Sequence, residues 1–147
     1  MASTVTASTM TVTISESITL NGKNQGGTNT LSIPSVAEVS KRIMTCLTSE
    51  VTLVSFAAAV APGTFIDADV RYVRITNLDD TNFVTLNVEG EASTDFSIRL
   101  DAGASYIMAG SFVDHIDITN STLENVSAIK GTANTAVCDL EVVVASA

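Results

Sequence analysis

Apolar and polar residues alternate over much of the chain. From Thr9 to Leu20 the apolar side chains fall on even positions, and only Glu16 interrupts that series. A period of two is typical of a strand with one buried face, so the segment is predicted to be β. The following dipeptide, Asn21-Gly22, adopts positive φ at low cost and predicts a turn.

The second half of the chain repeats this alternation in shorter runs. Segments such as VRYVRITNL, FVTLNV, FSIRL, SYIMA and HIDITN are separated by turns rich in Asp, Asn and Gly. The last strand places a set of small apolar residues on one face: Ala136, Cys138, Leu140, Val142 and Val144. Short strands at intervals of about ten residues predict an all-β fold, an antiparallel β-sandwich or jelly roll.

Residues 35–47 leave two alternatives open. Ser35 and Glu38 have the spacing of a capping box, which favours a short helix. Helical spacing is also present in four apolar residues: Val36, Val39, Ile43 and Leu47. The β-branched residues from Thr45 onwards favour a strand instead, and we interpret the segment as mainly β.

Length and composition add a prediction about organisation. A chain of 147 residues fits one domain. We therefore predict a single β-sandwich over residues 9–147, preceded by an extended N-terminal arm at residues 1–8, whose side chains are small and polar. With 46% apolar and 16% charged residues and a mean hydropathy of +0.36, the surface carries little charge. We expect part of it to be buried in a homo-oligomer.

The net charge of -9 argues against two kinds of partner. Nucleic acids and anionic membranes are both bound through clustered basic groups, so we expect neither. The first residues, MASTVTASTMTVT, have neither the basic nor the apolar region of a secretion signal. We expect the chain to be made and folded in a cytoplasm.

Carboxylates are the most numerous groups that could carry chemistry. Three pairs could supply oxygen ligands to calcium: Asp67/Asp69, Asp79/Asp80 and Asp114/Asp117. None has the spacing of a calcium loop. The run Asp79-Asp80-Thr81-Asn82 has a structural explanation as a hairpin turn, which we prefer. Acid/base catalysis by a carboxylate pair stays open, but the sequence favours no pair over another.

Histidine and cysteine offer little more. His115 is the sole histidine, and we interpret it as a half-exposed strand residue paired with a carboxylate rather than as a catalytic base. Cys46 and Cys138 lie in apolar stretches, and we expect two small buried side chains; a disulfide would require neighbouring strands and an oxidising compartment. We predict no catalytic residue, no cofactor and no metal site.

The remaining polar candidates also have structural interpretations. Arg71, Arg74 and Arg99 are predicted to pair across the sheet with carboxylates such as Glu89, Glu91 or Asp95, the alternative being an acidic patch on a partner. The sequons at Asn120 and Asn125 have little meaning without a secretion signal. The absence of Trp weakens a sugar-binding interpretation.

Three stretches together resemble a known group of proteins. VRYVRITNLDDTNFVTLNV, FSIRLDAGASYIMAG and VSAIKGTANTAVCDLEVVVAS are similar to a pattern in small virion proteins of tailed bacteriophages, marine and cyanobacterial ones in particular. The resemblance covers about the last 80 residues, and the opening TVTISESITLNGKNQGGTNT fits it as well. One departure is Ala104, which follows Gly103 where the pattern usually has an acidic residue.

The resemblance implies a non-enzymatic protein that decorates or cements a capsid. Its partners would be the major capsid protein or other virion proteins, its location the virion, and its oligomeric state a trimer at a local threefold axis. Two alternatives stay open: a component of the tail or of the head-to-tail connector, and a receptor- or carbohydrate-binding module on the virion surface.

Overall fold

The computed structural model describes residues 4–92, 94–111, 113, 115–116 and 123–147. Within these ranges the regular structure is β apart from one 3-10 turn at Asp67–Asp69, and no helix is long and apolar enough to span a membrane. The strands of the described residues are β1 (Ser8–Ser15), β2 (Thr19–Leu20), β3 (Lys23–Asn24), β4 (Thr28–Val36), β5 (Glu38–Cys46), β6 (Val51–Ala57), β7 (Phe65–Ile66), β8 (Val70–Asn77), β9 (Val84–Gly90), β10 (Asp95–Leu100), β11 (Ser105–Ala109), β12 (His115–Ile116), β13 (Glu124–Ala133) and β14 (Cys138–Ser146).

Eight of these strands form a sandwich of two antiparallel sheets. One sheet has the order β11-β8-β14-β5, and the other has the order β10-β9-β13-β6, with the short β7 and β12 at its margins. The pairs are nested along the chain: β5 with β14, β6 with β13, β8 with β11, and β9 with β10. Nested pairing of this kind is the topology of a jelly roll, so the predicted fold class is confirmed.

The core lies between the two sheets. Its largest fully buried side chains come from both: Leu53, Ile75, Leu86, Ile129 and Leu140. Burying a side chain of this size contributes about 1.5–3 kcal/mol, so the alternating apolar positions supply the main stabilising term.

The second half of the last strand, β14, is buried on both faces. Val142 and Val144 point into the core, whereas Val143 and Ala145 belong to a second apolar cluster on the outer face. That cluster is covered by residues 8–36, which we call the N-terminal hairpin, formed by β1 and β4 with a tip at β2 and β3. Burial on both faces explains why residues 142–145 form a continuous apolar run.

Residues 35–47 do not form the helix that was one alternative. Residues 38–46 are strand β5, paired with β14 along the whole strand. Met44 and Cys46 contact the core while Ile43 and Thr45, at the alternate positions, are exposed, which is the period of a strand. The pairing of β5 with the apolar strand β14 outweighs the helical spacing of the four apolar residues in this segment.

The predicted arm at residues 1–8 is described in part. Residues 1–3 lie outside the described ranges, and residues 4–7 are exposed without regular structure. Ser8 already belongs to β1.

Candidate interaction surfaces

Three large apolar side chains are exposed together at one end of the sandwich. Leu47 and Val137 lie one residue beyond Cys46 and Cys138, which are opposite each other on β5 and β14. Leu78 follows β8, and its backbone N–H donates to the carbonyl of Asp139 at 2.9 Å. The three side chains are between 43% and 55% exposed. We call these three residues the apolar end.

The apolar end is bordered by a turn rich in carboxylates. The Asp79 Oδ1 atom accepts hydrogen bonds from the backbone N–H groups of Asn82 at 2.6 Å and Thr81 at 2.8 Å. These bonds hold the pKa of the Asp79 carboxyl below its ordinary value, with the Asn82 contribution the larger. The run Asp79-Asp80-Thr81-Asn82 is therefore a turn held by its own side chains, as predicted, but it is not a hairpin, because β8 and β9 belong to different sheets. Ionised carboxylates beside exposed leucines favour a partner surface that is apolar and basic.

The sequence alone did not single out the apolar end. Each of its residues lies at a strand boundary, next to a turn signal: Leu47 before Thr-Ser-Glu, Leu78 before Asp-Asp, and Val137 after Asn-Thr-Ala. An apolar residue next to a polar turn is a sequence signal that indicates an exposed apolar side chain at the end of a strand. That three such boundaries meet at one end depends on the jelly-roll topology.

The N-terminal hairpin forms a second surface. Near the start of the hairpin, Met10 and Val36 lie beside Val39 of β5, and further along Ile14 lies beside Ile107 of β11. Because β5 and β11 are the two edge strands of their sheet, the hairpin runs across all four strands. Residues 15–25 beyond Ile14 are exposed without interruption, so the hairpin extends past the β11 edge.

The outer face of β5 is a third surface. Val39 and Ile43 are 60% and 65% exposed and flank Lys41, whose Nζ lies 3.1 Å from Glu141 Oε2. Arg74 pairs with the same carboxylate. These two cations hold the pKa of Glu141 below its ordinary value, Arg74 having the larger effect. Two cations share the carboxylate of Glu141, and Asp139 lies two residues away on the same face of β14.

Among the aspartates considered as cation ligands, Asp67 has a structural role. Asp67 is buried; its Oδ1 accepts the backbone N–H of Ala68 at 2.6 Å, and its Oδ2 accepts a side-chain N–H of Asn125 at 3.2 Å. Asp114 and Asp117 lie outside the described ranges. Among the described residues no three potential metal ligands come together.

His115 is exposed on the two-residue strand β12, where it lies opposite Asn125. The neighbouring Ile116 is buried, so the strand directs the imidazole away from the core.

The sequon at Asn120 lies outside the described ranges, whereas Asn125 donates its amide to Asp67.

For Arg74 and Arg99 the prediction of ion pairs within the chain is confirmed, but their partners are not the predicted carboxylates; Arg71 donates to the carbonyl of Ala68 at 2.6 Å. Arg74 pairs with Glu141 and Arg99 with Asp101, so both form ion pairs within the chain. Glu89, a predicted partner, is instead paired with Lys130 at 2.8 Å. Which carboxylate lies nearest depends on strand order, which alternation does not encode.

The expectation for the cysteines is confirmed, since Cys46 and Cys138 are both buried and free.

Comparison of the chain with protein-family models and with curated proteins gave no match.

Proposed function

We propose that the protein is a non-enzymatic structural component of a bacteriophage virion. In this proposal it is a decoration or cement protein that binds the assembled lattice of the major capsid protein. The observation that carries the proposal is the apolar end, an exposed apolar surface at one end of the jelly roll. Jelly rolls are common in viral capsid proteins, and the strand and turn pattern resembles small virion proteins.

The proposed mechanism is stabilisation by linkage. A protein that binds the assembled shell and not its dissociated subunits stabilises the shell by mass action. At a hundredfold excess of free protein over its dissociation constant, this is about 2.7 kcal/mol for each site. Docking through the apolar end would remove Leu47, Leu78 and Val137 from water, while the Asp79 turn would face basic groups of the shell.

The test is to add the purified protein to undecorated phage shells and determine the particle structure by cryo-electron microscopy. Density at many equivalent shell positions is expected. Leu78→Asp should abolish that density, because it places a charge in the docked apolar surface. Leu123→Asp is the matched control, since Leu123 is exposed beside the start of β13 at the opposite end.

Other results would contradict the proposal. Density confined to the tail or connector would support a tail or connector component, and tight binding to glycans would support a receptor-binding module. Turnover of a substrate that is lost in His115→Ala would contradict a non-enzymatic role.

A further inference from the structure

We propose that the outer part of the N-terminal hairpin docks on the exposed face of β5 in a second copy of this chain. The two surfaces are the hairpin segment at residues 14–28 and the β5 patch, which we define as Val39, Lys41 and Ile43. This contact joins copies of the chain to each other and does not rest on the proposed binding to a shell.

The hairpin continues an interface that already exists within the chain. Its inner half packs Met10, Val12 and Leu31 against Tyr72 and Val143 on the outer face of the four-stranded sheet. The same series of even positions continues outwards through Ile14, Glu16, Ile18 and Leu20. Ile18 and Leu20 are 48% and 56% exposed because the sheet beneath the hairpin ends at β11. A second sheet placed beyond β11 would give these side chains the apolar surface that the inner half has.

The pattern of side chains on the hairpin segment complements the β5 patch. The segment presents an acidic residue between two apolar ones, in the order Ile14, Glu16, Ile18. The patch presents a basic residue between two apolar ones, in the order Val39, Lys41, Ile43. Apolar side chains would meet apolar side chains, and Glu16 would add a second carboxylate to the Lys41, Arg74 and Glu141 cluster, which has one cation in excess.

The strand directions allow this contact without reorienting the copies. Each strand in the order β11-β8-β14-β5 is antiparallel to its neighbour, so the edge strands β11 and β5 run in opposite directions. When β11 of one copy is set beside β5 of the next, the two strands are antiparallel and the outer faces are continuous. The hairpin that passes over β11 then reaches the neighbour's β5 patch. Such a head-to-tail contact uses two different surfaces of each copy and closes into a ring when the rotation permits.

The first test is analytical ultracentrifugation of the purified chain over a range of concentrations. Reversible self-association is expected, and Ile18→Asp or Ile43→Asp should each raise the dissociation constant about tenfold or more. Thr19→Asp, on the other hairpin face, and Val60→Asp, in the exposed loop after β6, are matched controls that should leave it unchanged. All four positions are exposed, so circular dichroism should show an intact sandwich in every variant.

The second test identifies which surfaces meet. One chain carrying Ile18→Cys is mixed with another carrying Ile43→Cys under oxidising conditions, and a disulfide-linked heterodimer is expected. Neither variant alone should form a linked dimer, because a head-to-tail contact never brings two copies of one surface together. Thr19→Cys mixed with Ile43→Cys is the control and should not crosslink.

A charge exchange tests the Glu16 contact. Glu16→Lys should weaken association, and a second change, Lys41→Glu, should restore it in part. A chain that is monomeric at every concentration, or an oligomer indifferent to Ile18→Asp and Ile43→Asp, would overturn the inference. It would also be overturned if Ile18→Asp abolished binding to shells and left self-association unchanged. An oligomer that binds no shell would support the inference while contradicting the proposed function.

Discussion

Cys46 and Cys138 lie directly opposite each other on β5 and β14, with both thiols buried and free. Burial raises the pKa of both thiols, and the neighbouring Cys138 raises that of Cys46 further. The thiolate is the reactive form, so both side chains should react slowly while the protein is folded.

We predict that a thiol reagent such as Ellman's reagent labels neither cysteine at an appreciable rate in native buffer and labels both in denaturant. Ile43→Cys provides the control, because its side chain would be exposed on the same strand. Labelling of the native cysteines at the rate of this variant would contradict the closed pairing of β5 with β14.

The pH dependence of stability should contain a contribution from Glu141. Arg74 and Lys41 lower its pKa in the folded state, so the carboxylate stabilises the fold above its unfolded pKa of about 4.3. This contribution is lost as the pH falls from that value through the lower folded pKa. Denaturation by urea at a series of pH values should therefore show wild type exceeding Glu141→Gln in stability near neutral pH, with the difference shrinking on acidification. Glu91→Gln, at an exposed turn position, should show no comparable difference.

Asn77 should be the most sensitive polar residue of the core. It is fully buried; its side-chain amide donates to the carbonyls of Asn82 at 2.9 Å and Leu100 at 3.2 Å, and its Oδ1 accepts the N–H of Asp79 at 3.1 Å. Asn77→Ala leaves these backbone groups without their partner and should reduce the free energy of unfolding by about 3 kcal/mol. Asn29→Ala, at an exposed position of the hairpin, should cost far less in the same chemical denaturation experiment.

Gly131 allows close contact between the sheets. A Cβ atom at this position would lie 2.9 Å from Leu53 Cδ1 and 3.0 Å from Cys46 Sγ, in a core without space to move either side chain freely. Gly131→Ala should therefore destabilise the protein by about 1–3 kcal/mol, measured as a lower denaturant midpoint. At Gly27 the nearest atom to such a Cβ is Glu16 Oε2 at 3.8 Å, an ordinary contact, so Gly27→Ala should be tolerated. Equal effects of the two substitutions would contradict this packing argument.

The fold could be predicted because alternation reports which residues share a face. On the predicted apolar face of the last strand, Cys138, Leu140, Val142 and Val144 are all in the core, whereas Ala136 lies before the strand and is exposed. The turns were predicted from residues that tolerate positive φ, and Asn21 and Gly22 have φ values of 51° and 75°. These features depend on neighbours along the chain, which the sequence displays directly.

The interaction surfaces could not be predicted in the same way. Alternation from Met10 to Leu20 indicates one apolar face, yet only its first part finds a sheet within the chain, and Ile18 and Leu20 remain exposed. The alternation predicts which side chains point to the same face, but it does not predict which part of the protein packs against that face. Likewise, Glu141 was not recognised as the partner of Arg74, because their strands become neighbours only through the nested pairing of the jelly roll.

The pairing of β5 with β14 also governs how the chain reaches its fold. The hydrogen bond between Thr45 and Asp139 joins residues 94 positions apart, whereas the N-terminal hairpin joins near neighbours. Closing so long a loop costs chain entropy before any contact compensates for it, and sandwiches of this kind fold in about milliseconds to seconds. The hairpin can form early, but the sheet that supports it exists only once β14 is inserted. Folding of the sandwich and seating of the hairpin should therefore occur as a single slow step.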